Sequence, residues 1–123
     1  MSLMNVYIVT DLKKATAMID INTIEPTEIM KGFKGRFIHT EKLTLAYWEI
    51  EKGSILPLHS HHHEQITQVT EGQFELTIDG ITKLCKEGEL AVIPPNVEHS
   101  GVAISDCKVF DIFSPVREDY KAQ

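Results

Sequence analysis

Gly53-Ser54-Ile55-Leu56-Pro57-Leu58-His59-Ser60-His61-His62-His63-Glu64-Gln65, running on to Gly72, decides how this 123-residue chain is read. Four of its six histidines, His59 and His61–His63, fall within five positions. On a strand, alternate residues face the same side, so His59, His61 and His63 are expected to share a face while His62 points away. Two inward imidazoles from one strand make a ready pair of metal ligands. Imidazole suits Zn, Fe, Ni and Cu, and oxygen donors widen the choice to Mn. Further ligands must come from elsewhere. Glu64 and Gln65 lie just past the cluster, and Gln65 has the parity of His59 and His61. His99 follows Pro94-Pro95-Asn96-Val97-Glu98, far enough on for a hairpin to leave and return. A site of three imidazoles and one side-chain oxygen around one divalent ion is therefore expected, drawn from these histidines, Gln65 or Glu64, and His99.

The residues flanking the cluster have the period of strands. Leu43, Leu45 and Tyr47 alternate with Thr44, Ala46 and Trp48, and Phe74, Leu76 and Ile78 alternate with Gln73, Glu75 and Thr77. Asp79-Gly80 is a tight hairpin signal leading into Ile81–Leu84. Leu90–Ile93 is a short apolar strand stopped by Pro94-Pro95. Val97–Ile104 and Cys107–Phe113 supply two more. About eight short strands with glycines between them predict an all-β sandwich or barrel, which also hides strand edges. Before residue 33 the pattern differs. Leu12, Ala15 and Ile19 fall at helical spacing after Thr10 or Asp11, so residues 1–32 are expected to be a helical or irregular lead and 33–123 the barrel.

Composition narrows the function. A formal charge of −6 argues against nucleic acid as a partner and against a basic membrane-surface helix. No run approaches the roughly 20 apolar residues that span a bilayer, so no membrane partner is expected. Without a basic start followed by an apolar core, no secretion signal is expected and the protein is read as cytoplasmic. Cys85 and Cys107 lie in strand-like runs without CxxC spacing and are read as buried, reduced thiols.

These pieces resemble a known family. Gly53, His59, His61, Gln65 and Gly72 look like the first motif of the cupins, and Gly88, Pro94 and His99 look like the second. The resemblance implies a double-stranded β-helix, or jelly-roll, barrel. Gln65 stands where most cupins have Glu, which leaves the site one negative charge short and a bound metal more electrophilic. The ending Asp111-Ile112-Phe113-Ser114-Pro115-Val116-Arg117-Glu118-Asp119-Tyr120 resembles small cupins of the KdgF pectin-degradation family. That likeness implies His59, His61, Gln65 and His99 as metal ligands, one divalent ion (Zn, Ni, Mn or Fe) as cofactor, and Asp111, Phe113 and Arg117 as catalytic residues. Asp111 would move a proton, and Arg117 would clamp a substrate carboxylate. The implied substrate is a small anionic sugar or keto acid, such as a 4,5-unsaturated uronate converted to a linear ketonised sugar, and a homodimer is expected. The rival readings are a non-catalytic metal- or sugar-binding module and an Fe(II) dioxygenase. His62 and His63 are expected at the barrel mouth or behind the ligands, and His39 at the surface or pocket rim. One of Tyr47 and Trp48 is expected to line the cavity or the dimer face.

Overall fold

Alternation gives the longer central strands one dry face, and two sheets close on each other through such faces. The computed structural model describes residues 6–9 and 18–121. Among them run β1 (Val6–Val9), β2 (Thr27–Met30), β3 (Phe33–Thr40), β4 (Thr44–Ile50), β5 (Ile55–His59), β6 (Glu64–Glu71), β7 (Gln73–Ile78), β8 (Ile81–Lys86), β9 (Leu90–Ile93), β10 (His99–Ala103) and β11 (Cys107–Ser114). A 3-10 turn at Ile21–Thr23 and a terminal helix, α1 (Glu118–Lys121), complete the described elements.

One sheet has the order β1-β3-β4-β11-β6-β9, with β2 also on β3, and the other has β5-β10-β7-β8. The pairs are antiparallel except β1 with β3. Two sheets closing face to face in this way make a jelly-roll barrel. Residues 1–32 thus supply two strands, β1 and β2, that extend the larger sheet along β3. The helix expected near Leu12 and Ala15 falls outside the described residues, and Ile19 is not helical.

Hairpin chemistry matches expectation. Asp79 and Gly80 take φ of 50° and 77° between β7 and β8, the left-handed pair that a tight two-residue turn requires. The core packs Phe33 edge-on to Trp48 and to Phe74, with ring centroids 6.2 and 6.4 Å apart. Gly35 faces Trp48 across β3 and β4. A Cβ there would lie 2.6 Å from the Phe37 ring, so the missing side chain is what lets Trp48 turn inward. Both cysteines are buried and free.

Candidate metal centre

β5 ends at His59 and β10 begins at His99, and the two are directly paired. An extra residue on β5 makes a bulge between this pair and Leu56–Gly101. Pro57, which has no N–H to contribute, lies within that irregularity. His61 arrives differently from the strand-parity expectation. The strand stops at His59, residues 60–63 form a turn, and His63 does not join its neighbours in the cluster. The turn is held by the Asn96 N–H, which donates to the His61 carbonyl at 2.8 Å.

The ligand atoms of His59, His61 and His99 all lie within 4.8 Å of one another. Each ring is aimed by a backbone carbonyl on its far nitrogen. Nδ1 of His59 meets Pro57 O at 2.7 Å, that of His61 meets His63 O at 3.1 Å, and that of His99 meets Val97 O at 2.9 Å. A carbonyl only accepts, so each Nδ1 carries the proton and each Nε2 turns a bare lone pair inward. Burial lowers the pKa of His61, and lowers that of His99 to about 4, so both are neutral at physiological pH.

Gln65 is an inward residue of β6, whereas Glu64 is exposed. Its Oε1 lies 3.1 Å from His61 Nε2. Its amide donates to Thr67 Oγ1 at 3.1 Å, the Thr67 hydroxyl donates to Asp111 Oδ1, and Trp48 Nε1–H donates to Asp111 Oδ2 at 2.9 Å. This chain of donors leaves Oε1 as an acceptor facing another acceptor, the bare His61 nitrogen. His99 Nε2 is likewise buried without a partner among the described residues. Electron pairs crowded on one point, with no proton between them, fit a divalent cation. Gln65 is placed to add an oxygen to the three nitrogens.

Asp111 and Phe113 both face inward from β11, across from Thr67 and Gln65 of β6. Burial pushes the Asp111 pKa from 3.8 up to about 7, against the hydrogen bond from Trp48. Arg117 is buried as well, and it is paired with a carboxylate two residues on. Nε and Nη2 bind Asp119 in a fork at 2.9 and 2.8 Å, and the guanidinium carbon sits 4.0 Å over the Tyr120 ring and 4.7 Å over Phe113. Its charge thus lies between two aromatic faces at the barrel mouth. One cavity is lined by His59, Gln65, His99, Asp111, Phe113 and Arg117 together with core aromatics. A more open one beside it is lined by residues 59–63 and 115–119 with Glu41.

His62 is exposed and His63 is buried. His39 corrects its expectation: it is fully buried, not at a surface or rim. Of Tyr47 and Trp48, the tryptophan lines the cavity. Residue spacing did not single out Thr67, Thr44 or Tyr120. Thr67 has the same parity as Gln65, which was the one available signal.

The sequence profile of the cupin domain matches residues 46–113. The pectin degradation protein KdgF of Dickeya dadantii (strain 3937) is 32% identical over 96 residues, which is 76% of this chain and 87% of that protein. The structure of KdgF from Halomonas sp. superposes with a TM-score of 0.82 at 27% identity, covering 86% of this chain and 99% of that one. An RmlC-like cupin from Shewanella frigidimarina NCIMB 400 gives a TM-score of 0.75 at 32% identity, over 78% of this chain and 87% of that one.

Proposed function

The chain belongs to the cupin domain family, and from that premise we propose that it is a metal-dependent, KdgF-like enzyme acting on a small anionic sugar, a 4,5-unsaturated uronate. The observation that carries the reading is the convergence of bare nitrogens from His59, His61 and His99 with the Gln65 oxygen, next to a carboxyl poised near neutrality. These four residues would hold one divalent ion (Zn, Ni, Mn or Fe). When bound, the ion supplies Lewis acidity toward substrate oxygens in a site with no ligand carboxylate to blunt it.

The chain's own groups account for the rest. Opening a ring hemiacetal removes a proton from the C1 hydroxyl and returns one to the ring oxygen. Ketonising the resulting C5 enol then removes the enol proton and places one on C4. The net change is an isomerisation, so one residue must both take and give a proton. A carboxyl with a pKa of about 7 is suited to both duties at neutral pH. Asp111 is given this role. Arg117 supplies the charge for the uronate carboxylate, and Phe113 packs under it. The barrel's aromatic lining excludes water.

We assign a homodimer as the working form. Val92, Ile66, Ile112 and Leu45 stand in one cross-strand row on the outer face of the larger sheet, from β9 to β4, and the row ends at Ile38 of β3, which is already buried. Val92 is 54% exposed, which supports a covering partner; light scattering tests this.

The functional test is incubation of metal-loaded protein with unsaturated galacturonate, following loss of the alkene absorbance and the ketone product by NMR. Turnover that chelation abolishes is expected. Binding without turnover would favour the non-catalytic sugar-binding module. Oxygen uptake with Fe(II) would favour a dioxygenase.

A further inference from the structure

His39 is used neither by the metal-binding triad nor by the proton-transfer step. It lies near the end of β3 with 0% of its surface exposed. A buried imidazole is tolerated when its nitrogens find partners. Nδ1 has one, the Thr44 hydroxyl at 2.8 Å, while Nε2 is buried without a partner among the described residues. A leucine would avoid that cost, so the polar ring is retained for something that Nδ1 does.

The neighbour explains it. Thr44 is also 0% exposed, and its Oγ1 accepts the backbone N–H of Arg117 at 2.8 Å. Thr44 Oγ1 thus bridges the Arg117 amide and His39 Nδ1; with the hydroxyl proton on the His39 side, the ring is the neutral tautomer protonated at Nε2. Burial holds the His39 pKa below its ordinary value, with Lys121 pushing the same way and Glu118 and Asp119 opposing. Arg117 needs such an anchor. β11 ends at Ser114 and α1 begins at Glu118, so residues 115–117 have no strand ladder to fix their backbone.

Resting on the reading that Arg117 receives the substrate carboxylate, we propose that His39, acting through Thr44, is a positioning residue for Arg117. His39 orients the Thr44 hydroxyl, the hydroxyl pins the Arg117 amide to the barrel, and the stacked guanidinium is thereby held at the mouth of the metal cavity.

The test compares Thr44→Val, His39→Leu and His39→Asn. The asparagine Oδ1 takes the place of Nδ1 and preserves the acceptor. Hydrogen exchange of the Arg117 amide, read by 15N NMR, should speed up roughly ten-fold in Thr44→Val and His39→Leu and return near the wild-type rate in His39→Asn. With unsaturated galacturonate, KM should rise about five- to ten-fold in the first two variants while kcat and metal stoichiometry hold, because only an anchoring hydrogen bond is lost. An unchanged Arg117 exchange rate in Thr44→Val, or a fall in kcat at constant KM, overturns the proposal. Thr44→Val is nearly isosteric and carries the test if His39→Leu does not fold. If the wild type turns over no unsaturated uronate, the proposed function fails by itself, and amide exchange with the Arg117 Nε–H resonance still decides the role of His39.

Discussion

Asp111→Asn should make the metal-free protein more stable at pH 8 and slightly less stable at pH 4. The barrel resists a charge at this position. Burial raises the carboxyl from 3.8 to about 7 even though Trp48 donates to it. Below pH 4 the carboxyl is protonated in both the folded and the unfolded chain, and it costs nothing. Between pH 4 and 7 the unfolded chain ionises while the folded one keeps its proton, so wild-type stability falls by 1.36 kcal/mol per pH unit. Above pH 7 the loss levels off at about 4 kcal/mol. Asparagine has no such titration. Its NH2 group must face one of the two donors, Trp48 or Thr67, so the variant begins about 1 kcal/mol behind. The difference between variant and wild type should therefore move by about 4 kcal/mol in the variant's favour from pH 4 to pH 8. Urea unfolding with a chelator present measures it, and the other titrating groups cancel in the comparison. An identical difference at both pH values would show that Asp111 ionises freely in the barrel and would remove it as the proton carrier.

The metal, the oxygen ligand and one turn give further expectations. At 100 times Kd, Ni2+ or Zn2+ should stabilise the wild type by about 2.7 kcal/mol, roughly 10 °C in Tm; His99→Ala should lose this gain, and an equal gain in the variant would exclude His99 as a ligand. Thr67→Val frees the Gln65 amide to rotate, and metal affinity by titration calorimetry should fall roughly 10- to 100-fold; unchanged affinity would mean that the orientation of Gln65 is irrelevant. Gly72→Ala, at φ +81° with its new Cβ driven into the Asp106 carbonyl and the Cys107 side chain, should lower stability by about 1–3 kcal/mol in urea unfolding; an unmoved midpoint would refute the crowding.

Strand identity and hairpin placement were readable from local pattern. Trp48 shares a face with Thr44 and Ala46, and Asp111 with Phe113, because period-two alternation is set by the backbone alone; which of the two faces of β4 turns inward was decided only by the closing sheets. Asp79-Gly80 turns because those residues accept a positive φ. The spacing of His59, His61 and His99 was legible for the same reason: a hairpin of ordinary length brings the third ring back. Parity misled at His63, and His61 meets His59 by a bend rather than along a strand, because the strand ends at His59 and the rule ends with it. His39 was misplaced because a single imidazole has no periodic partner to betray its burial.

The alternation of side chains and the distance between motifs are written along the chain, and they suffice for a β barrel with a histidine cluster at its mouth. Convergence is not a local property. That the three Nε2 atoms share one point, that Gln65 reaches Asp111 through Thr67, and that Arg117 is held by a threonine 73 residues away depend on two sheets closing. Closure also removes the water. Without that desolvation Asp111 would be an ordinary acid and His99 an ordinary base, so the chemistry of these residues belongs to the folded barrel and not to their order in the chain.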